Sequence, residues 1–213
     1  MRRLGIFGIG VAIAFAIASA RAHEPVERLA PVALQGLDVT LGALREADGR
    51  LLVEAAKFRA VALRRTAPVA ELDFTYVGPT EQAAPLASGE LRRQLGLKLR
   101  AADGCNLVYV MWRIDPKPAL VVSIKRNPGK RTHAQCGAGG YRNVKPERAV
   151  PLPKLQPGER HVLRAALAGD RLVVQVDGRA VWEGALGEEI LAFDGPVGLR
   201  TDNARVAFQL RMP

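Results

Sequence analysis

Cysteine, histidine and aromatic side chains are all scarce in this chain: two cysteines, three histidines and 5% aromatics in 213 residues. Cys105 and Cys136 stand far apart, without the paired Cys/His spacing of a structural zinc site, which favours a disulfide over a metal site. So few aromatics argue against an extended stacking platform. No Ser/His/Asp order, phosphate-cradling glycine loop or nucleic-acid recognition motif is present, so nucleic acid is not an expected partner. There is no strong amphipathic helix, internal repeat or low-complexity linker. The long uncharged run lies at the N-terminus, from Leu4 to Ala20.

That run follows Arg2 and Arg3 and closes on two Ala-x-Ala sites, Ala18-Ser19-Ala20 and Ala20-Arg21-Ala22. A basic start, an apolar stretch and small residues before a cleavage point are the parts of a secretory signal peptide. The run is at the short limit of the roughly 17–25 residues that span a bilayer. The expectation is an exported protein, periplasmic or extracellular, with residues 1–22 as signal peptide and no stable membrane span after cleavage. Residues 23–213 then form a single domain, with an irregular lead-in over 23–36 broken by Pro25 and Pro31.

What the chain has in quantity is alternation. Leu72, Phe74 and Tyr76 face one way while Glu71, Asp73 and Thr75 face the other, up to a stop at Gly78-Pro79. Leu95, Leu97 and Leu99 alternate with Gly96 and Lys98. From Asn106 to Asp115, Val108, Val110, Trp112 and Ile114 form one apolar face and Leu107, Tyr109, Met111 and Arg113 the other. A strand apolar on both faces is central, with one face in the core and one lining a covered groove. Leu120 to Asn127 follows. Val39–Ala47 and Leu51–Ala55 read as a hairpin around Asp48-Gly49, and His161–Leu167 pairs with Leu172–Val176. The Asp177-Gly178 pair marks a tight hairpin to Arg179–Trp182. Gly184 to Leu191 holds at most one helical turn. Many short alternating strands separated by Asp-Gly and Gly-Pro turns predict an all-β, antiparallel two-sheet sandwich.

The closing segment carries a resemblance. Val176-Asp177-Gly178, then Gly195-Pro196-Val197-Gly198-Leu199, then Asn203 to Phe208 resemble the ending of concanavalin A-like lectin/glucanase sandwiches, including laminin-G-like and keto-glycoside-hydrolase-like modules. About forty of the 213 residues take part. The resemblance implies a jelly-roll fold and a carbohydrate partner. Its residues shape turns and core, so it implies little chemistry.

In an exported chain, an even pair of cysteines reads as a disulfide. Cys105–Cys136 would fasten the glycine-rich basic loop Pro128–Arg142 to the start of the Asn106 strand. The formal charge is +10, and residues 92–148 hold thirteen Lys/Arg against three Asp/Glu. Such a segment attracts polyanions, acidic polysaccharide among them. Ligand-binding candidates are Tyr109 for stacking, Arg113 and Lys125 as donors on its face, and Tyr141 entering from the loop.

Catalysis has a narrower basis. Laminarinase-type glucanases carry an acidic strand Glu-x-Asp-x-Glu; Glu71 and Asp73 match its first two positions, and Thr75 or Tyr76 stands where the last acid belongs. Retaining hydrolysis needs two carboxyl groups roughly 5–5.5 Å apart in separate roles, so the expected proton donor is missing. Cleavage after Ala22 would make His23 a terminal copper ligand, but neither His133 nor His161 has a matching motif. The resemblance allows calcium, since laminin-G-like modules often bind it. Asp103, Asp177 and Asp202 sit at turns, where aspartate commonly bonds its own backbone. No other cofactor is expected. The reading is a non-catalytic binding module for carbohydrate or an anionic envelope polymer, with a Glu71/Asp73 hydrolase or a structural domain as alternatives.

Overall fold

Sixteen strands in two antiparallel sheets account for nearly all the regular structure of this computed structural model, which describes residues 28–63 and 66–213. In chain order they are β1 (Ala30–Pro31), β2 (Leu37–Leu41), β3 (Arg45–Ala47), β4 (Arg50–Val53), β5 (Lys57–Ala62), β6 (Val69–Pro79), β7 (Arg93–Leu99) and β8 (Leu107–Asp115). Then come β9 (Ala119–Lys125), β10 (Tyr141–Asn143), β11 (Arg148–Ala149), β12 (Arg160–Ala168), β13 (Arg171–Val176), β14 (Arg179–Ala185), β15 (Gly198–Asp202) and β16 (Ala204–Met212). One α-helical turn, α1 (His133–Cys136), and short 3-10 turns at Leu34–Gly36 and Glu188–Ala192 complete the described elements. Residues 1–22, expected to be a signal peptide, and His23 lie outside the described residues.

The larger sheet runs β11-β14-β13-β12-β6-β16-β4-β3, with β1 also on β16; the smaller runs β10-β9-β8-β7-β15-β5-β2. Alternation builds the core between them. Leu72, Phe74, Leu163, Val174, Phe208 and Leu210 come from one sheet, Phe58, Leu95, Leu97, Val110, Trp112 and Ile124 from the other, and each is at most 1% exposed. Trp112 meets Phe74 edge-on at 5.8 Å across the interface, the favoured geometry for an aromatic pair.

Asp177 and Gly178 hold positive φ of 52° and 78° between paired Val176 and Arg179, as a two-residue hairpin requires. The chain leaves β15 in one sheet and enters β16 in the other at Asn203, φ 56°. The Asn203 amide fixes this crossing: its Oδ1 accepts from the Ala84 N–H at 2.8 Å, and its Nδ2 donates to the carbonyls of Ala84 and Arg92 at 3.0 and 2.9 Å.

Three expectations need correcting. The apolar stretch Val39–Ala47 is not one hairpin arm. Its first part, in β2, pairs with β5 in the smaller sheet, and only β3 pairs with β4 about Asp48-Gly49. A continuous pattern carries no mark of a change of sheet. Strand β6 does not stop before Gly78-Pro79 but includes both; they pair with Arg205 and Ala204 beyond a register shift at Arg205/Val206, and such an irregularity is one of the places where a sheet admits proline. The lead-in contains paired residues: Ala30 and Pro31 face Met212 and Arg211.

Candidate functional site

The outer face of the smaller sheet, pointing away from the core, gathers most of the buried polar side chains. Cross-strand register sets three rows on it. Ser123, Tyr109, Lys98, Gly198 and Val61 are successive partners in one. Met111, Gly96, Arg200 and Arg59 form the next, and Arg113, Gln94, Asp202 and Lys57 the third. Gln94, Lys98, Lys125, Arg200 and Asp202 are all 8% exposed or less, an unusual concentration for side chains that are mostly at the surface.

Asp202 organises the cations. Its Oδ1 accepts from Arg59 Nη2 at 2.8 Å, and its Oδ2 accepts from Arg200 Nε and Gln94 Nε2, both at 2.7 Å. Burial raises the Asp202 pKa, but Arg200, Arg59 and these hydrogen bonds outweigh it and hold the carboxyl below its usual range. Burial lowers the Arg200 pKa in turn, and the Asp202 carboxylate opposes it, so that the guanidinium is held in its charged form. Lys98 has no such partner. It is 6% exposed, and its ammonium makes no hydrogen bond or ion pair among the described residues. Burial first, then Arg59 and Arg200, pull its pKa down to about 8, with Asp38 opposing.

Each of these two central cations faces a glycine: Lys98 pairs with Gly198 and Arg200 with Gly96. Strands approach so closely there that an added Cβ would meet the Val110 oxygen at 2.1 Å from position 96 and the Ala60 oxygen at 2.2 Å from position 198. Only glycine fits, and the backbone beside both cations stays bare.

An aromatic pair walls one side. Tyr109 and Tyr141 stack with ring centres 6.0 Å apart and planes 20° apart. Tyr109 is buried, and burial pushes its hydroxyl up to about 12, so it remains protonated and is no base at neutral pH. Tyr141 is 42% exposed. Lys125 Nζ lies 5.2 Å from the Tyr141 ring centre and donates to the carbonyls of Gly104 and Gly137, both at 3.0 Å. Those glycines flank Cys105 and Cys136, which form a disulfide with Cα atoms 6.0 Å apart. Thr132 and Gln135 cap α1 reciprocally, a capping box that fixes this turn. The His133 pKa is lowered, first by burial and then by Lys125, Arg59 and Arg200, which puts the disulfide loop within the field of the floor.

The structure brings together three of the four ligand candidates, Tyr109, Lys125 and Tyr141. Lys125 commits its ammonium to the loop carbonyls. Arg113 shares the face but lies in the Gln94 row and donates Nε to the Lys117 carbonyl at 2.6 Å. Glu71 and Asp73 lie on the outer face of the other sheet. There Asp73 accepts from Arg50 at 3.0 Å and Arg160 at 2.6 Å, and Glu71 lies 3.6 Å from Arg164 and 3.5 Å from Arg211. Among the described residues, no group of three or more His, Cys, Asp or Glu could hold a metal ion. Asp103 accepts from the Cys105 and Asn106 N–H groups, Asp177 bonds His161 and Val162, and Asp202 serves the arginines. No helix among the described residues is long and apolar enough to cross a membrane. Sequence reasoning missed Arg59, Gln94, Lys98, Arg200 and Asp202 as a group. The available signal was the pairs Gln94/Lys98 and Arg200/Asp202, set on the face opposite Leu95, Leu97 and Leu99 in β7 and opposite Leu199 in β15.

No protein-family model matches the chain. No curated protein matches it in sequence. Solved structures do match in fold. The carbohydrate-binding module CBM66 from Bacillus subtilis aligns at TM-score 0.57 and 14% identity over 82% of this chain and 92% of that one. A candidate glycosyl hydrolase from Parabacteroides distasonis aligns at 0.55 and 15% over 87% and 98%. The Emp46p carbohydrate recognition domain aligns at 0.55 and 12% over 84% and 88%. The fold is that of the concanavalin A-like β-sandwiches.

Proposed function

We propose that this protein is an exported, non-catalytic module that binds carbohydrate on the outer face of the smaller sheet. The observation that carries this reading is the half-open tyrosine pair, Tyr141 on Tyr109, beside a floor of guanidinium and ammonium donors. Sugars offer C–H faces to aromatic rings and hydroxyls to donors at the ring edge, and this face combines an apolar wall with a few fixed polar groups, as ligand sites do. Its likeness in fold to proteins described as carbohydrate-binding supports the same reading.

Binding is favoured over hydrolysis because the buried carboxylate of the floor, Asp202, is held by two arginines and a glutamine, and Asp38, a second carboxylate of this face, is exposed on the edge strand β2. A retaining glycosidase needs two carboxyl groups with separated proton affinities. The alternative hydrolase residues, Glu71 and Asp73, are tied to arginines on the opposite side of the sandwich.

The test is a glycan array with the full chain, followed by calorimetry of the best binder against Tyr141→Ala. Loss of binding in a variant with unchanged melting temperature supports the reading; no glycan bound by the native protein, or full affinity in the variant, rejects it. A Glu71→Gln variant that loses glycan cleavage seen in the native protein would instead establish the enzyme.

A further inference from the structure

We propose that Lys98, Arg59 and Arg200 form a subsite for the carboxylate of an acidic sugar, so that the ligand of this face is a glycan containing uronic acid. The inference rests on reading this face as the sugar-binding surface and names the class of sugar.

Charge is the first argument. Three cations from three adjacent strands, β7, β5 and β15, surround one buried carboxylate, Asp202, while a second carboxylate of this face, Asp38 on β2, is exposed at the far end of the Lys98 row. Arg59 and Arg200 are directly opposite each other, an arrangement that costs stability for like charges. Asp202 offsets that cost for the two guanidiniums and does nothing of the kind for Lys98. A nearly buried ammonium without a partner is expensive. It is absent from the enclosed, unsatisfied polar atoms of the described residues, so it keeps a solvent-facing opening. Groups perturbed in this way collect where a ligand supplies the missing charge.

Donor geometry is the second. Asp202 takes Arg200 Nε, and the Tyr141 hydroxyl lies 3.4 Å from Arg200 Nη1. Arg200 Nη2 and Lys98 Nζ have no partner among the described residues. Lys98 and Arg200 are diagonal neighbours across β7 and β15, and a guanidinium edge with an ammonium on the same face suits the two oxygens of one carboxylate. The third is what flanks them: the cross-strand partners of these two donors, Gly198 and Gly96, carry no side chain that could cover them. The fourth is adjacency. Tyr109 is the direct cross-strand partner of Lys98, so a carboxylate on Lys98 sets its pyranose ring against the tyrosine wall.

The experiment is calorimetry of the full chain with galacturonate, glucuronate and mannuronate oligomers, each against its methyl ester, and with sulfated oligosaccharides of similar length. At least one acid form should bind at least about tenfold more tightly than its ester, and the difference should shrink with added salt. Lys98→Met should lose roughly ten- to hundredfold in affinity for that acid, the worth of a charge-assisted hydrogen bond. Its unliganded melting temperature should hold or rise, since an unpaired buried charge has been removed. Equal binding of acid and ester overturns the carboxylate subsite and leaves the sugar-binding reading standing. Tighter binding of the sulfated sugars, no binding of any uronate, or full affinity in Lys98→Met also overturns it.

Discussion

The Arg200 guanidinium lies over the Tyr109 ring, its central carbon 5.0 Å from the ring centre. Its Nε is at the same time bonded to Asp202 at 2.7 Å. A cation held between a carboxylate and a ring face has little freedom to turn, so the floor beneath Tyr141 is rigid before any ligand arrives. Asp202 therefore underpins two arginines and, through Arg200, the tyrosine wall.

Removing that carboxylate tests this. Asp202→Asn leaves Arg59 and Arg200 buried, facing each other, without their counter-charge. Breaking a buried pair on one side costs about 3–5 kcal/mol, and at this chain length that lowers Tm by about 10 °C. Differential scanning calorimetry measures it. Lys98→Met, which also changes one charge on the same floor, should show no such loss. Equal melting temperatures for native and Asp202→Asn would show that the arginines find other partners.

The disulfide and Lys125 act as one fastening. Gly104 and Gly137, the two acceptors of the Lys125 ammonium, adjoin the bonded cysteines. Reduction, or the double variant Cys105→Ser/Cys136→Ser, frees a loop whose closure contributes roughly 3–4 kcal/mol by the chain-entropy model. It should lower Tm by about 10 °C. It should also weaken glycan binding, because α1 and the chain leading to Tyr141 lose their anchor to β8. Binding unchanged after reduction would mean that β10 pairing alone positions Tyr141.

Asp73 gives the larger sheet an acid-sensitive point. Hydrogen bonding from Arg160 comes first, burial opposes it, and Arg50 adds to it, so that its pKa is lowered to about 2. The folded pKa lies below the unfolded one, so the unfolded chain binds the proton more readily. The contribution to stability is complete above the ordinary carboxylate range near pH 4 and disappears as pH falls towards about 2. In urea unfolding, the native protein should lose stability steeply over that window and Asp73→Asn should lose less. Glycan binding by Asp73→Asn should match the native protein, since Asp73 lies on the far face. Parallel acid profiles for the two proteins would remove Asp73 from the account.

The fold was readable in the sequence because its signals are local. Asp177-Gly178 demands positive φ at two consecutive residues, and Leu72, Phe74 and Tyr76 can share a face in one way only. The disulfide followed from an isolated pair of cysteines in a chain whose first residues read as an export signal. The site was half readable. Tyr109, Lys125 and Tyr141 fall within the basic, disulfide-tied segment, and its charge drew attention to them. Arg59 and Arg200 lie outside that segment, in strands whose alternation is blurred by Ala60, Ala62 and Gly198, and only sheet pairing brings them beside Lys98. Lys125 shows the converse: residue type and strand face suggested a ligand donor, whereas its two carbonyl acceptors come from loops that no pattern along the chain brings together.

Lys98 makes the affinity for an acidic sugar depend on pH in a direction opposite to the stability of the free fold. The groups facing it are Arg59 on β5, Arg200 on β15, Tyr109 on β8 and Asp38 on β2. The guanidiniums stay charged, and Tyr109, pushed up to about 12, stays neutral. In the free protein the ammonium loses its proton near pH 8. A carboxylate bound against it favours the charged form and raises that pKa. Affinity is then level on the acid side of about pH 8 and falls above it, by up to about tenfold per pH unit. The free fold behaves inversely. Its Lys98 pKa of about 8 lies below the ordinary 10.5, so the unfolded chain binds more protons between these values and stability rises with pH through that window. Calorimetry with the best uronate oligomer from about pH 6 to about pH 9.5, beside melting of the free protein in the same buffers, reads both trends. Lys98→Arg, which keeps its charge throughout, should bind with a flat profile. A native profile as flat as that of Lys98→Arg would mean that Lys98 takes no part in holding the anion.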